Sequence, residues 1–169
     1  MRRAMTDVIV RSASAADAAA VAGIYNYYVR NTVITFEEDP VSAEDVVARM
    51  AEIQGLSLPW LVAEIEGVVV GYAYAARWKG RSAYRYSVET TIYLEKGFEG
   101  RGIGATLYGA LLPILRTRGI HAAIGGAALP NAASVALHER LGFERVATFR
   151  QVGFKHDRWV DVAYWQLLL

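Results

Sequence analysis

The sequence contains no cysteine, which removes disulfides, thiolate nucleophiles and cysteine-ligated metal from the chemistry open to it. Its histidines, His121, His138 and His156, are scattered without metal-ligand spacing, so no metal site is expected. Neither charge sign dominates. With 18 Lys and Arg against 17 Asp and Glu, the net charge of +1 gives no general attraction to nucleic acid or to an anionic membrane, and neither is expected as a partner. Long hydrophobic runs are missing too. Residues 68–76 and 103–115 are too short, or too broken by Gly and Pro113, to span a bilayer. Arg2 and Arg3 are followed by Asp7, Arg11 and Asp17, which interrupt the apolar segment a signal peptide needs, so a cytoplasmic location is the default. What is present is ordinary for a folded chain: 169 residues, 11% of them aromatic, read as one domain over residues 1–169 with a sizeable core.

The most informative stretch is 87–105. Residues 88–94 are rich in β-branched and aromatic side chains and read as a strand. From Gly102 onward, Ile103, Leu107, Leu111 and Leu112 stand at helical spacing. The loop between carries Gly97, Gly100, Gly102 and Gly104. Such glycines allow positive φ and let backbone N–H groups face a ligand closely, while the following helix N-terminus adds a positive dipole end. A phosphate or diphosphate is the expected guest, and a plain tight turn is the alternative. A P-loop needs Lys followed by Ser or Thr after its second glycine, whereas Gly104 precedes Ala105-Thr106. A dinucleotide fold wants its loop after the first strand and an acidic residue about 20 positions later, which this chain does not supply.

Periodicity and caps give the rest. Residues 8–11 form a strand, 15–29 a helix, and 43–53 a second helix capped by Ser42 with Glu44 and Asp45. The connection over residues 30–40 is long enough to line a site. Residues 60–64 and 68–76 make a hairpin around Glu66-Gly67, and residues 86–94 the next strand. Between them, residues 77–85 concentrate four cations with two aromatics: either a solvated loop or a recognition loop for an anionic group. A helix over 102–118 should kink or break at Pro113. A strand over 120–126, a helix opened by Asn131 and ended at Gly142, and a hairpin of 145–154 with 159–168 complete the chain. This order implies an α/β (α+β) fold, a mixed sheet covered by helices.

Three pieces in this order resemble the GNAT N-acetyltransferase superfamily: a strand into the Glu99-x-x-Gly102-x-Gly104 loop, a strand followed by Asn131-x-x-Ser134, and Leu141-Gly142-Phe143 closing the next helix. Within it, Trp78-Lys79-x-Arg81-x-Ala83-Tyr84, Val88-Glu89-x-Thr91-x-Tyr93, Leu129-Pro130-Asn131, Gly153-Phe154-Lys155-His156-x-x-Trp159-x-Asp161-Val162 and Trp165-Gln166-Leu167 resemble the phosphinothricin and methionine sulfoximine acetyltransferases. The resemblance covers about residues 9–167. It implies the GNAT fold, a mostly antiparallel central sheet with a splayed strand pair and about four flanking helices, and acetyl-CoA as co-substrate.

The resemblance also implies roles. The N–H groups of Gly100, Arg101, Gly102, Ile103, Gly104 and Ala105 would hold the CoA diphosphate, and main-chain groups of Ile92, Tyr93 and Leu94 would bond pantetheine and the acetyl carbonyl. Asn131, Ser134 and Arg140 would complete the cofactor side, with Asn131 equally able to serve as a helix cap. Acetylating an amine requires removal of a proton from the ammonium, and Glu89 matches the family's base. On an alternating strand Glu89, Thr91 and Tyr93 share one face. Where many superfamily members carry a tyrosine that protonates the departing thiolate, this chain has His138, able to act as acid, substrate ligand or packing residue. Glu99 replaces a more usual Gln or Arg, so its side chain should turn away from the diphosphate. Lys79, Arg81 and Tyr84 or Arg85 would meet the acceptor's anionic groups, Phe36 with Val33 and Ile34 would wall its chain, and Glu89 and Thr91 would also contact it. The expected reaction is α-amine acetylation of a small amino acid or analogue; other amines, a protein N-terminus, a non-catalytic CoA-binding module and a nucleotide-binding interaction domain are the rivals. A role in herbicide or antibiotic resistance would follow from such an acceptor. A homodimer is also implied, with Tyr25, Tyr27 and Tyr28 suiting an interface or, equally, the core.

Overall fold

The structure is a computed structural model describing residues 7–169; Arg2 and Arg3 lie outside the described residues. The elements run β1 (Ile9–Ser12), a 3-10 turn (Ala15–Asp17), α1 (Ala18–Asn31), α2 (Ala43–Gly55), β2 (Trp60–Ile65), β3 (Val68–Arg77), a second 3-10 turn (Ser82–Tyr84), β4 (Ser87–Leu94), α3 (Ile103–Thr117), β5 (Ala122–Ala128), α4 (Ala132–Arg140), β6 (Glu144–Lys155) and β7 (Arg158–Leu168). The strands form one seven-stranded sheet in the order β1-β2-β3-β4-β5-β7-β6. Every neighbouring pair is antiparallel except β4 with β5.

Local chemistry places the ends. Ser42 accepts a bond from the Asp45 N–H at 3.1 Å while the Asp45 carboxylate accepts from the Ser42 N–H at 2.8 Å, the reciprocal cap the sequence predicts for α2. Asn131 caps α4 with a single bond, its side-chain oxygen accepting from the Ser134 N–H at 3.1 Å. The β2–β3 and β6–β7 hairpins turn through Glu66-Gly67 and His156-Asp157, both pairs with positive φ, which matches the strand twist.

The core lies on both faces of the sheet. Ile103, Leu107, Leu111 and Leu115 repeat every four residues along α3 and are at most 1% exposed, each burial contributing about 2 kcal/mol before chain entropy is counted. Contrary to expectation, α3 runs unbroken through Pro113. Pro113 and the residue four before it, Gly109, both sit on the exposed side. The carbonyl that loses its partner therefore meets water.

The sheet opens where β4 and β5 part. Their ladder runs from Ser87 with Ala122 to Thr90 with Gly125 and stops. Beyond it β4 continues on β3 as far as Leu94, and β5 on β7 as far as Ala128. The two strands therefore diverge, leaving a wedge between residues 91–94 and 126–128.

Candidate active site

Three elements converge on this wedge. In the first, the loop from β4 to α3, Gly97, Gly100 and Gly102 have positive φ, at 92°, 72° and 82°. The first α3 backbone bond is made by the Thr106 N–H to Gly102. The N–H groups of Gly100, Arg101, Gly102, Ile103, Gly104 and Ala105 have no protein partner among the described residues, and they lie at a helix N-terminus. Such a row of donors suits a diphosphate. Glu99 turns back, as anticipated, but it also occupies a donor: its carboxylate accepts from the Gly97 N–H at 2.8 Å. Gly104 has a separate task, since a Cβ there would stand 3.2 Å from Leu137 of α4.

The second element is the free edge of β4. Trp78 N–H bonds the Ser87 carbonyl, and Glu95 N–H bonds the Val70 carbonyl. Antiparallel pairing alternates, so the peptide groups of Thr91 and Tyr93 face β3 and those of Ile92 and Leu94 face the wedge. Tyr93 thus has its main chain committed to β3, unlike the role implied for it. The Leu94 carbonyl is also taken, by the Tyr28 hydroxyl at 2.6 Å. The Ile92 peptide groups and the Leu94 N–H remain for a ligand.

The third element is the pair of faces on either side. Thr90 points toward α3, where the Tyr108 hydroxyl donates to it at 3.1 Å. Glu89, Thr91 and Tyr93 point to the α1 face, where the Tyr25 and Tyr28 rings lie 5.1 Å from that of Tyr93. Glu89 is half-buried. Burial pushes its carboxyl above the ordinary range, and the nearby Lys79 ammonium pulls it partly back. Tyr164 of β7 feels the Glu89 charge, and its ring packs edge-on against Trp78 at 5.7 Å.

His138 sits on the opposite face. It is 2% exposed, stacked on Trp165 at 5.7 Å and edge-on to Phe143 at 5.2 Å. Its Nδ1 lies 2.7 Å from the Ser134 carbonyl, a bond that requires the proton on Nδ1; the Ser134 hydroxyl is 3.4 Å away. Nε2 is then bare, has no partner among the described residues, and lies 2.2 Å from where a Cβ on Gly125 would stand. Burial lowers the imidazole pKa, so the neutral ring is favoured. Arg140 is exposed at the end of α4.

The basic loop divides. Lys79, Arg81 and Tyr84 line one open cavity, with the Lys79 ammonium 4.9 Å from the Trp78 ring. Arg77 and Arg85 turn to a different hollow beside Arg118. Phe36 lies against Gly153 of β6, an approach so close that a Cβ there would be 2.1 Å from its ring. Tyr25, Tyr27 and Tyr28 are not surface aromatics: Tyr28 is buried, Tyr25 and Tyr27 are half-buried, and they pack toward β4 and the loop after α1. The large exposed apolar side chains gather instead on β6 and β7, among them Phe149, Phe154 and Trp159. Sequence reasoning did not single out Thr35, Gly125 or Gly126; the paired glycines inside a strand were the available signal of close approach.

Residues 10–164 match the acetyltransferase (GNAT) domain family. The chain is a GNAT acetyltransferase. It is 42% identical over 159 residues to the phosphinothricin N-acetyltransferase of Streptomyces viridochromogenes, covering 94% of this chain and 86% of that one. It is 38% identical over 160 residues to the L-methionine sulfoximine/L-methionine sulfone acetyltransferase of Salmonella typhimurium, covering 95% and 94%. Among solved structures, a phosphinothricin acetyltransferase of Sinorhizobium meliloti in complex with acetyl-CoA superposes with a TM-score of 0.93 at 39% identity, over 96% of this chain and 88% of that one. A ribosomal-protein-alanine N-acetyltransferase of Brucella melitensis gives 0.92 at 38% identity, over 95% and 99%. GNAT enzymes use acetyl-CoA as co-substrate, and the row of free N–H groups above an open strand edge is the donor set its diphosphate and amides call for. No helix among the described residues is long and apolar enough to cross a membrane.

Proposed function

We propose that this acetyltransferase acetylates the α-amine of a small amino acid or analogue carrying a second anionic or sulfoximine-like group, as the names of its phosphinothricin and methionine sulfoximine relatives indicate for those proteins. The observation that carries this reading is that half-buried Glu89 feels the charge of Lys79, which lines one cavity with Arg81 and Tyr84. A polycationic acceptor would be repelled there, whereas an amino acid presents an ammonium to Glu89 and anions to the loop.

Bound acetyl-CoA supplies the thioester acetyl group. Gly100 to Ala105 hold its diphosphate through backbone N–H groups, Ile92 and the Leu94 N–H bond its amides or the acetyl carbonyl, and Asn131, with its side-chain oxygen engaged in the cap, offers the remaining amide N–H groups. Glu89 takes a proton from the acceptor ammonium, exposing the lone pair that attacks across the wedge; the C–N bond so formed would replace the thioester C–S bond, and the second proton shed by the nitrogen would end on the departing CoA sulfur as the free thiol. An N–H aimed at the developing oxyanion lowers that barrier. Lys79, Arg81 and Tyr84 hold the acceptor's anions, while Phe36 and Thr91 wall its chain. With no proton on Nε2 and a ring held neutral, His138 serves as a buried support beneath Gly125 and Trp165 rather than as the acid.

A protein N-terminus is the second reading, favoured by the likeness to the Brucella enzyme. The loop separates the two. Lys79→Ala and Arg81→Ala should each raise KM for phosphinothricin about tenfold or more, the loss of a charge-assisted bond, and leave KM for acetyl-CoA unchanged. Unchanged acceptor KM in both variants would remove the loop from the acceptor site. The homodimer is proposed to pair through the exposed aromatics of β6 and β7, to be checked by light scattering of the wild type and Trp159→Lys.

A further inference from the structure

Lys155 has no part in the chemistry above, yet it is buried, at 2% exposure, at the tip of the β6–β7 hairpin. Its ammonium donates to the Thr35 carbonyl at 2.8 Å, across 120 residues of sequence. Glu37 and Glu38 act on its charge from nearby, but neither bonds it, and Glu37 is engaged with Arg49 of α2. Burying a cation is costly, and a methionine would fill the same space without that cost. What lysine adds is a fixed donor to one backbone atom of the segment between α1 and α2.

Two further contacts join the same pieces. Gly153 lies under the Phe36 ring, where any Cβ would clash at 2.1 Å. Val33, Ala128 and Val160 form a small buried cluster separate from the main core. On its other side Thr35 shares a hydroxyl bond of 2.7 Å with Tyr25, whose ring packs on Tyr93, on the face of β4 that carries Thr91 and Glu89.

We infer that Lys155 is a positioning residue for the acceptor site: with Gly153 it clasps residues 33–37 to the hairpin tip and so sets where Phe36 and Thr35 stand against the acceptor. This rests on the acceptor reading above. The test measures KM for phosphinothricin and for acetyl-CoA, with hydrogen exchange at the amides of residues 33–37, in the wild type, Lys155→Met, Lys155→Arg and Gly153→Ala. Lys155→Met and Gly153→Ala should raise acceptor KM about tenfold, speed exchange in the segment and leave acetyl-CoA KM within about twofold. Lys155→Arg, which keeps a donor, should recover most of the acceptor KM. Faster exchange with unchanged acceptor KM would overturn the inference, and so would a parallel loss toward both substrates with no recovery in Lys155→Arg. Should Lys155→Met fail to fold, Gly153→Ala is read by the same criteria. A wild type that acetylated no anionic amino acid would show a different failure, that of the acceptor reading itself.

Discussion

Replacing Glu89 with glutamine keeps the shape of the side chain and removes its ability to take a proton. The structure fixes the direction of the consequences. Burial raises the Glu89 carboxyl above its ordinary pKa, so wild-type activity should rise with pH through that raised value and then level off. Above it the base is ionised and strips the ammonium within the site. In Glu89→Gln only acceptor already deprotonated in solution can react, and that fraction grows tenfold per pH unit below the amine's pKa. A positioned base is worth about 10²–10⁴-fold, so kcat should fall by about that factor near neutral pH and recover about tenfold per unit toward alkaline pH. Acetyl-CoA KM should not change, because Glu89 faces away from α3 and α4. The same substitution should stabilise the fold. A carboxyl with a raised folded pKa is most favourable to stability below its unfolded value of about 4.5 and costs stability as pH rises through the raised pKa, so Glu89→Gln should raise Tm at neutral pH. Thiol release followed across pH, with a melting curve at each point, reads both effects. A constant deficit at every pH, or no deficit, would remove Glu89 as the base.

Other residues give separate checks. Gly102→Ala must hold φ near 82° with a side chain, at a cost of about 1–2 kcal/mol, and should raise acetyl-CoA KM about 5–30-fold with little change in acceptor KM. Gly125→Ala drives a Cβ into His138 and should cost about 1–3 kcal/mol in a denaturant melt. His138→Phe should lower Tm while kcat keeps its wild-type pH profile; a wild-type kcat that falls at alkaline pH, with that fall absent in His138→Phe, would restore His138 as an acid. Asp17, held by Arg11 through bonds of 2.8 and 2.7 Å, has its carboxyl pulled down to about 2. Its depressed pKa contributes stability present above about pH 4 and lost as pH falls toward 2. Discounting for the partly exposed Arg11, Asp17→Asn should cost about 1–2 kcal/mol at neutral pH, and the difference should shrink as pH falls and vanish only below the folded pKa.

The parts of the fold that repeat were legible in the sequence. The four-residue spacing from Ile103 to Leu115 gave α3, the reciprocal Ser42 and Asp45 gave the start of α2, and four glycines after a strand gave the loop of positive φ that leads into α3. What depends on long-range register was not. The resemblance implied a splay that frees main-chain groups from Ile92 to Leu94, but neither strand's composition encodes the stop at Thr90 and Gly125 that decides which of those peptide groups are free. The Tyr28 bond to Leu94 spans 66 residues, and the Lys155 bond to Thr35 spans 120. Tyr25, Tyr27 and Tyr28 stayed open between interface and core because a helix sequence does not say which of its faces meets the sheet. His138 could be placed on α4 but not protonated until the Ser134 carbonyl was located beside Nδ1.

The most direct test of the account is thiol release from acetyl-CoA with a panel of acceptors: phosphinothricin, methionine sulfoximine, methionine sulfone, the common amino acids, spermidine, an aminoglycoside and an alanine-initiated peptide. Turnover concentrated on the first three is the predicted result. Preferred acetylation of the peptide or the polyamine, with those three inert, would contradict the assignment of Glu89, Lys79 and Arg81 to a small anionic amino acid.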